Sequence, residues 1–419
     1  MNGIKTRHNY FAFLYLAAVV WMSFPMARVM LSKIQFFGYI VAVFAMVLVT
    51  RSYFKEKDFL VVGWYGLAVL LRFFMGSQAF PTLFSALYET FILLIPAILF
   101  YYFRKIDTNA PFVYSIIIIY TTIIIFESVM TYRIDQEYPG VLRNLQAIRY
   151  DDIRETLVAR GMAPYSLPHA LPTLMPALIL IIKNRTNKLL PRIAFLAFLI
   201  ASLVIIWISQ ATGPYLMTIF AVTLSLIVSS TSVRENMRKV MLVSFFVLPF
   251  VLFPSFSGAL LDGAKSFIPD DNDVYEKIIE MEKTVEGEEG NGDIAYRGKL
   301  LEKTIQSIIE NPIFGSPTKT YGNHNALIDR WAKLGLVGFI PLLIFLYLTI
   351  KGTYKIMPER GKIYYIIGIM TALFMLLSKN QISWDQWFML FYLLPVLLTL
   401  NYMPDGFKRR KYISQQKEK

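Results

Sequence analysis

His324 is one of three histidines in the chain. It stands between Tyr321 and the run Asn325, Asp329, Arg330, where a long polar loop enters an apolar stretch. A neutral imidazole is the usual protein base near neutral pH, and a hydroxyl is the kind of group it helps to deprotonate. The alternative is a histidine that merely caps the start of a helix through its own backbone. An Asp329/Arg330 pair beside it is costly to hold at a bilayer surface unless it is paired or used.

A second set of residues could bind an anion. Arg133, Arg143, Arg149, Arg154 and Arg160 fall in one loop, residues 131–168, that holds no lysine. Guanidinium binds phosphate through two parallel hydrogen bonds and stays charged at any relevant pH. An arginine-only loop therefore reads as a clamp for a diphosphate at headgroup level. The competing reading is a solvated helix face paired with Asp151, Asp152 and Glu155. Asp151 and Asp152 open a short helix over Ile153 to Arg160, and Gly161 stops it.

The elements that carry these residues belong to a membrane protein. Hydrophobic residues make up 56% of the chain and charged ones 17%, where a soluble domain is roughly a quarter charged. The apolar residues come in blocks that span a bilayer core of ~30 Å as helix. About twelve spans are expected, roughly 9–27, 33–50, 59–75, 80–101, 110–130, 166–182, 190–208, 212–230, 240–260, 326–350, 362–378 and 386–403. Phe11 to Ser23 reads as an anchor and not as a removed signal peptide. The expectation is an all-α, polytopic protein, one integral membrane domain over 1–419 with two long external loops at 131–168 and 261–325.

The charge pattern orients it. The net charge of +13 is explained by basic clusters that hold short loops at the cytoplasmic face, not by nucleic acid. These are Lys5/Arg7, Arg51/Lys55/Lys57, Arg104/Lys105, Lys183/Arg185/Lys188, Arg234/Arg238/Lys239, Lys351/Lys355/Arg360/Lys362 and Lys408 to Lys411. Both termini are then cytoplasmic and both long loops external. Arg28 and Lys33 are the exception, flanking an external turn. In the second loop the acidic stretch Glu286 to Asp293 reads as linker. Behind it Leu301, Ile305, Ile308 and Ile309 share a helical face expected to lie against the membrane domain.

Arg72, Glu89 and Glu127 sit within expected spans. Intramembrane charge is paired or faces a cavity, and an Arg72–Glu89 salt bridge is one structural reading, as open as a role in the site. The chain has no cysteine, which excludes thiol chemistry and disulfides. It has no phosphate-binding glycine loop, no His-Glu-x-x-His and no Gly-x-Ser-x-Gly, and no external carboxylate pair of metal-binding spacing stands out, so an enzyme here would be metal-independent.

The second loop resembles the O-antigen ligase and polymerase superfamily. The resemblance rests on a helix from Arg297 ending in Asn311-Pro312-Ile313-Phe314-Gly315, then His324-Asn325-Ala326-Leu327, then Gly335 and Gly338. Leu327 follows Asn325 after one residue, where that pattern has two. The layout, about twelve spans with long loops before the sixth and tenth, is similar to Wzy-type polysaccharide polymerases. Members often carry a Ser-Arg turn before a span like the eighth here; this chain has Ser209-Gln210-Ala211-Thr212-Gly213-Pro214, which shifts the burden to the first-loop arginines.

The resemblance implies a GT-C-like glycosyltransferase acting on undecaprenyl-diphosphate-linked oligosaccharide at the outer face of a bacterial plasma (inner) membrane. Arg143, Arg149, Arg154, Arg160, Arg297, Tyr321, Asn325 and Arg330 would bind substrate, with His324 catalytic on a sugar hydroxyl. The implied partners are the lipid bilayer, a chain-length regulator and a flippase. A ligase moving glycan to lipid A core or protein is the alternative within the class. A flippase of lipid-linked oligosaccharide is the alternative outside it.

Overall fold

The computed structural model describes residues 23–24, 29, 57–80, 82–105, 110–142, 151–184, 189–228, 236, 238, 293–318, 325–378 and 383–400. Among them every regular element is a helix. In chain order these are α1 (Lys57–Phe74), α2 (Leu83–Lys105), α3 (Ala110–Glu137), α4 (Asp151–Ala159), α5 (Leu167–Lys183), α6 (Leu189–Ser209), α7 (Thr212–Ile227), α8 (Asp293–Glu310), α9 (Ala326–Ile356), α10 (Glu359–Ser378) and α11, which runs from Trp384 to Leu400. Four of the helices, α3, α6, α9 and α10, are long and apolar enough to cross a membrane, and α1, α2, α5 and α7 are shorter apolar helices. The spans expected at 9–27, 33–50 and 240–260 lie almost wholly outside the described residues.

The helices form one bundle around α11. Every described side chain from Trp384 to Thr399 is buried, as fits a helix apolar on all faces. Trp384 stacks on Phe388 at 5.1 Å, Trp387 on Phe391 at 5.0 Å and Phe388 on Tyr392 at 5.4 Å. Proline shapes the two innermost helices, because it cannot donate to the helical ladder. Pro168, Pro172 and Pro176 loosen α5 into a 3-10 turn at Leu171–Leu174. In α11 a π turn, Met389–Leu393, precedes Pro395, and Leu394 N–H reaches back to the Met389 carbonyl.

Hydrogen bonds group the helix ends into two sets. At one end Trp384 donates to Ser23 Oγ at 3.3 Å, Ser166 Oγ to Asp385 Oδ2 at 3.1 Å, Gln78 N to the Pro317 carbonyl at 3.1 Å and Asn325 Nδ2 to the Leu377 carbonyl at 2.6 Å. At the other, Lys183 Nζ reaches the Ser225 and Leu226 carbonyls and Tyr364 Oη the Val228 carbonyl. The first set joins the turns that the charge pattern assigns to the exterior; the second joins basic turns assigned to the cytoplasm. The described ends of both long loops therefore share one end of the bundle.

Two details depart from the sequence reading. α3 continues through the expected start of the first loop, so that loop begins after Glu137. The face of α8 turned to the bundle is Leu300, Thr304, Ser307 and Ile308, whereas Leu301, Ile305 and Ile309 are exposed. Asp329 on α9 accounts for the rotation: it is buried and accepts a hydrogen bond from Thr304 Oγ1 at 3.0 Å. A buried carboxylate needs donors more than the helix needs one more isoleucine inside.

Candidate functional site

The site is assembled where α8, α9, α1 and α2 meet at the bundle end that holds the described ends of both long loops. Asn325 is the N-cap of α9: its side chain accepts from Ile328 N at 3.0 Å, and its own N–H donates to Asp329 Oδ2 at 2.8 Å. This reciprocal arrangement satisfies donors that a helix start would leave bare. Asn325 also ties α9 to the end of α10 through the Leu377 carbonyl. One residue thus fixes where the chain leaves the helix toward His324. Tyr321 and His324 themselves lie outside the described residues.

Below the cap lies a buried charge cluster. Arg330, ~6 Å along α9 from its first residue by helical rise, forms an ion pair with Glu89 of α2. Tyr65 Oη of α1 donates to the same Glu89 oxygen at 2.8 Å. The ion pair Glu89 makes is thus with Arg330, where the sequence leaves an Arg72–Glu89 bridge as one of two open readings. Arg72, also buried, instead donates to the Ser316 carbonyl and, at 3.2 Å, to Ser77 Oγ. The reason is register: Arg72 lies two turns nearer the exterior end of α1 than Tyr65, level with the loop backbone that needs a donor. Glu127 on α3 is also buried.

The turn after α8 is locked into α9. At Gly335 the helix opens, with φ 61° and ψ −172°. Leu336 N then donates to the Pro312 carbonyl at 2.9 Å and Val337 N to the Ile313 carbonyl at 3.2 Å, in place of their helical acceptors. The freed Ala332 carbonyl accepts from Ser316 N at 2.7 Å. Gly315 (φ 79°) and Gly335 face each other, and a Cβ on either would meet the other segment's backbone. Only glycine takes such a conformation and such an approach at low cost. Trp331 Nε1, donating to the Pro312 carbonyl at 3.3 Å, closes the joint.

The first loop is described in part. Arg160, just past α4, is exposed and pairs with both oxygens of Glu137 at the end of α3, at 2.7 and 2.8 Å. Those hydrogen bonds hold its guanidinium above the ordinary arginine value. Its partner is thus Glu137 and not the acidic residues of its own helix. Arg154 lies within α4 and Arg297 within the first half of α8; Arg143 and Arg149 lie outside the described residues. Of the residues singled out in the sequence, Asn325 and Arg330 are brought together in one cluster.

Sequence reading missed Tyr65, Thr304 and the Ser316 carbonyl. The signal for Tyr65 was its spacing of seven from Arg72, two turns on one face of α1. His169 is buried on α5 with Nδ1 3.0 Å from the Tyr165 carbonyl, a satisfied core position. Among the described residues no three His, Cys, Asp or Glu gather as a metal site. No protein-family model matches this chain, and no curated protein does.

Proposed function

We propose that the chain is a repeat-unit polymerase of surface polysaccharide, O-antigen or capsule, a GT-C-like glycosyltransferase of about twelve spans in a bacterial plasma membrane with both termini cytoplasmic. One observation supports this reading above the others. Asn325, Gly335 and the 311–315 turn, which are motif positions, interlock with Asp329 into one frame at the bundle end that also receives the described ends of the first loop. That frame holds the described residues on either side of segment 319–324, which carries Tyr321 and His324.

In this mechanism Arg143, Arg149 and Arg154 hold the diphosphate of the donor lipid, and Arg297 assists from the second loop. Arg160 joins them once it releases Glu137, an exposed pair of the kind that contributes little. Arg330, paired with Glu89, is a further substrate-binding position that would act only on releasing that carboxylate. The anomeric C1–O bond to undecaprenyl diphosphate breaks, and C1 bonds to a hydroxyl of the incoming lipid-linked repeat. The hydroxyl proton passes to His324, and the leaving diphosphate carries away the electron pair. The anomeric diphosphate is already activated, so no cofactor is required. A flippase would deliver the repeat units and a chain-length regulator would act beside the enzyme.

The test uses a cell that depends on this gene for polymer. His324→Ala should abolish long chains while protein level and single repeat units persist, and at least one of Arg149→Lys, Arg154→Lys and Arg160→Lys should lose most polymer, since ammonium cannot reproduce the planar fork. Full-length chains from His324→Ala, or from all three lysine variants, would reject the reading. Loss of transfer even of single units would indicate a ligase.

A further inference from the structure

α8 divides into three sectors at helical spacing. Leu300, Thr304, Ser307 and Ile308 are buried against α9, while Lys299, Lys303, Gln306 and Glu310 form an exposed polar sector. The third sector is apolar and exposed: Leu301, Ile305 at 47% and Ile309 at 73% of full exposure, continued by Ile313 at 54% and Phe314 at 50% in the following turn. Nothing comparable occurs on α4, whose exposed large apolar residue is Ile153. Scattered exposed apolar residues need no explanation, but a contiguous stripe does.

The stripe is continuous with the exposed apolar face of a membrane-length helix. Ile313 is hydrogen-bonded through its carbonyl to Val337 N, so the turn sits on α9. Below it on α9 the exposed residues are Ile340, Leu343, Ile344 and Tyr347, the outward face of a membrane-length helix. Meanwhile Thr304 and Ile308 contact the first turns of α9, at Asp329 and Ala332. α8 is therefore held against the first turns of a membrane-length helix. The contacts advance together along the two helices, from Thr304–Asp329 through Ile308–Ala332 to Ile313–Val337, so α8 runs beside the start of α9 with its apolar stripe facing outward.

We propose that α8 is an interfacial helix whose occupant is bilayer lipid. Leu301, Ile305, Ile309, Ile313 and Phe314 insert at the headgroup–acyl boundary, and Lys299, Lys303, Gln306 and Glu310 face water. The anchor sets the height of the 311–318 segment over the membrane.

The chain has no cysteine, so single cysteines can be placed without removing any. The full chain would carry an environment-sensitive fluorophore at Ile305→Cys, Ile309→Cys or Phe314→Cys, and at Lys303→Cys or Gln306→Cys for comparison, in phosphatidylethanolamine–phosphatidylglycerol vesicles. Ile344→Cys gives the lipid-facing reference on α9. Probes at 305, 309 and 314 should be quenched by a nitroxide near the lipid headgroup and be several-fold less accessible to iodide than those at 303 and 306. Iodide reaching 309 as readily as 303 would overturn the proposal, as would a probe at 309 shielded from both quenchers, which would mean protein covers the stripe. Each variant is read only where the labelled protein remains monodisperse in detergent, and the three stripe positions give independent readings.

Discussion

Arg330 and Glu89 carry the sharpest residue-level question, because a buried ion pair can be structure, function or both. Removing one partner strands a charge inside the bundle, which costs about 3–5 kcal/mol, whereas replacing both by apolar residues of similar volume is often neutral. Arg330→Met and Glu89→Leu should each lower the melting temperature of the purified protein strongly, and the double variant should recover most of it. If Arg330 only holds α9 to α2, the double variant will also make polymer. If its charge serves the diphosphate, the double variant will fold and stay inactive. Equal melting temperatures for both single variants and the parent would contradict the buried pair itself. The existence of intramembrane charges was legible in the sequence; their partners were not, because pairing depends on which helix face meets which, and that is a tertiary fact.

At the scale of elements, the joint between the 311–315 turn and the opened α9 explains a motif that reads in sequence only as spaced glycines. Two donors and a carbonyl lost from the helix at Gly335 are satisfied by the turn. Gly335→Ala forces a side chain into the left-handed region, ~1–2 kcal/mol on its own, and into the Ile313 backbone besides. It should therefore destabilise the protein clearly in thermal unfolding. Gly63→Ala on α1, where a Cβ meets nothing within 4 Å, should be neutral or stabilise by roughly 0.5–1 kcal/mol. A Gly335→Ala protein as stable as Gly63→Ala would refute the joint. The sequence reading found α8 from its apolar period yet turned it the wrong way. Period alone cannot tell which of two neighbouring faces meets the bundle, and a single buried Asp329–Thr304 hydrogen bond favours the Thr304 face.

For the whole molecule, helix positions followed closely from apolar block length, which is why most of the described helices begin and end within a few residues of their expected bounds. The two innermost helices were the least legible: proline and the π turn reshape α5 and α11 without changing their hydropathy. The hydrogen bonds gather at one end of the bundle the turns that the basic-loop pattern groups together. Reporter fusions at Asp151 and Glu288 should both register outside, and a cytoplasmic signal from either would break the shared-end arrangement on which a two-loop site depends.

The central claim is that this frame joins lipid-linked repeat units with His324 as base. The most direct measurement is chain growth by the purified protein in liposomes supplied only with undecaprenyl-diphosphate-linked repeats. The account predicts a ladder of lipid-linked glycans with matching release of undecaprenyl diphosphate, and no ladder from a folded His324→Ala variant. Movement of intact lipid-linked repeats across the bilayer with no new glycosidic bond, or a full ladder from His324→Ala, would contradict it.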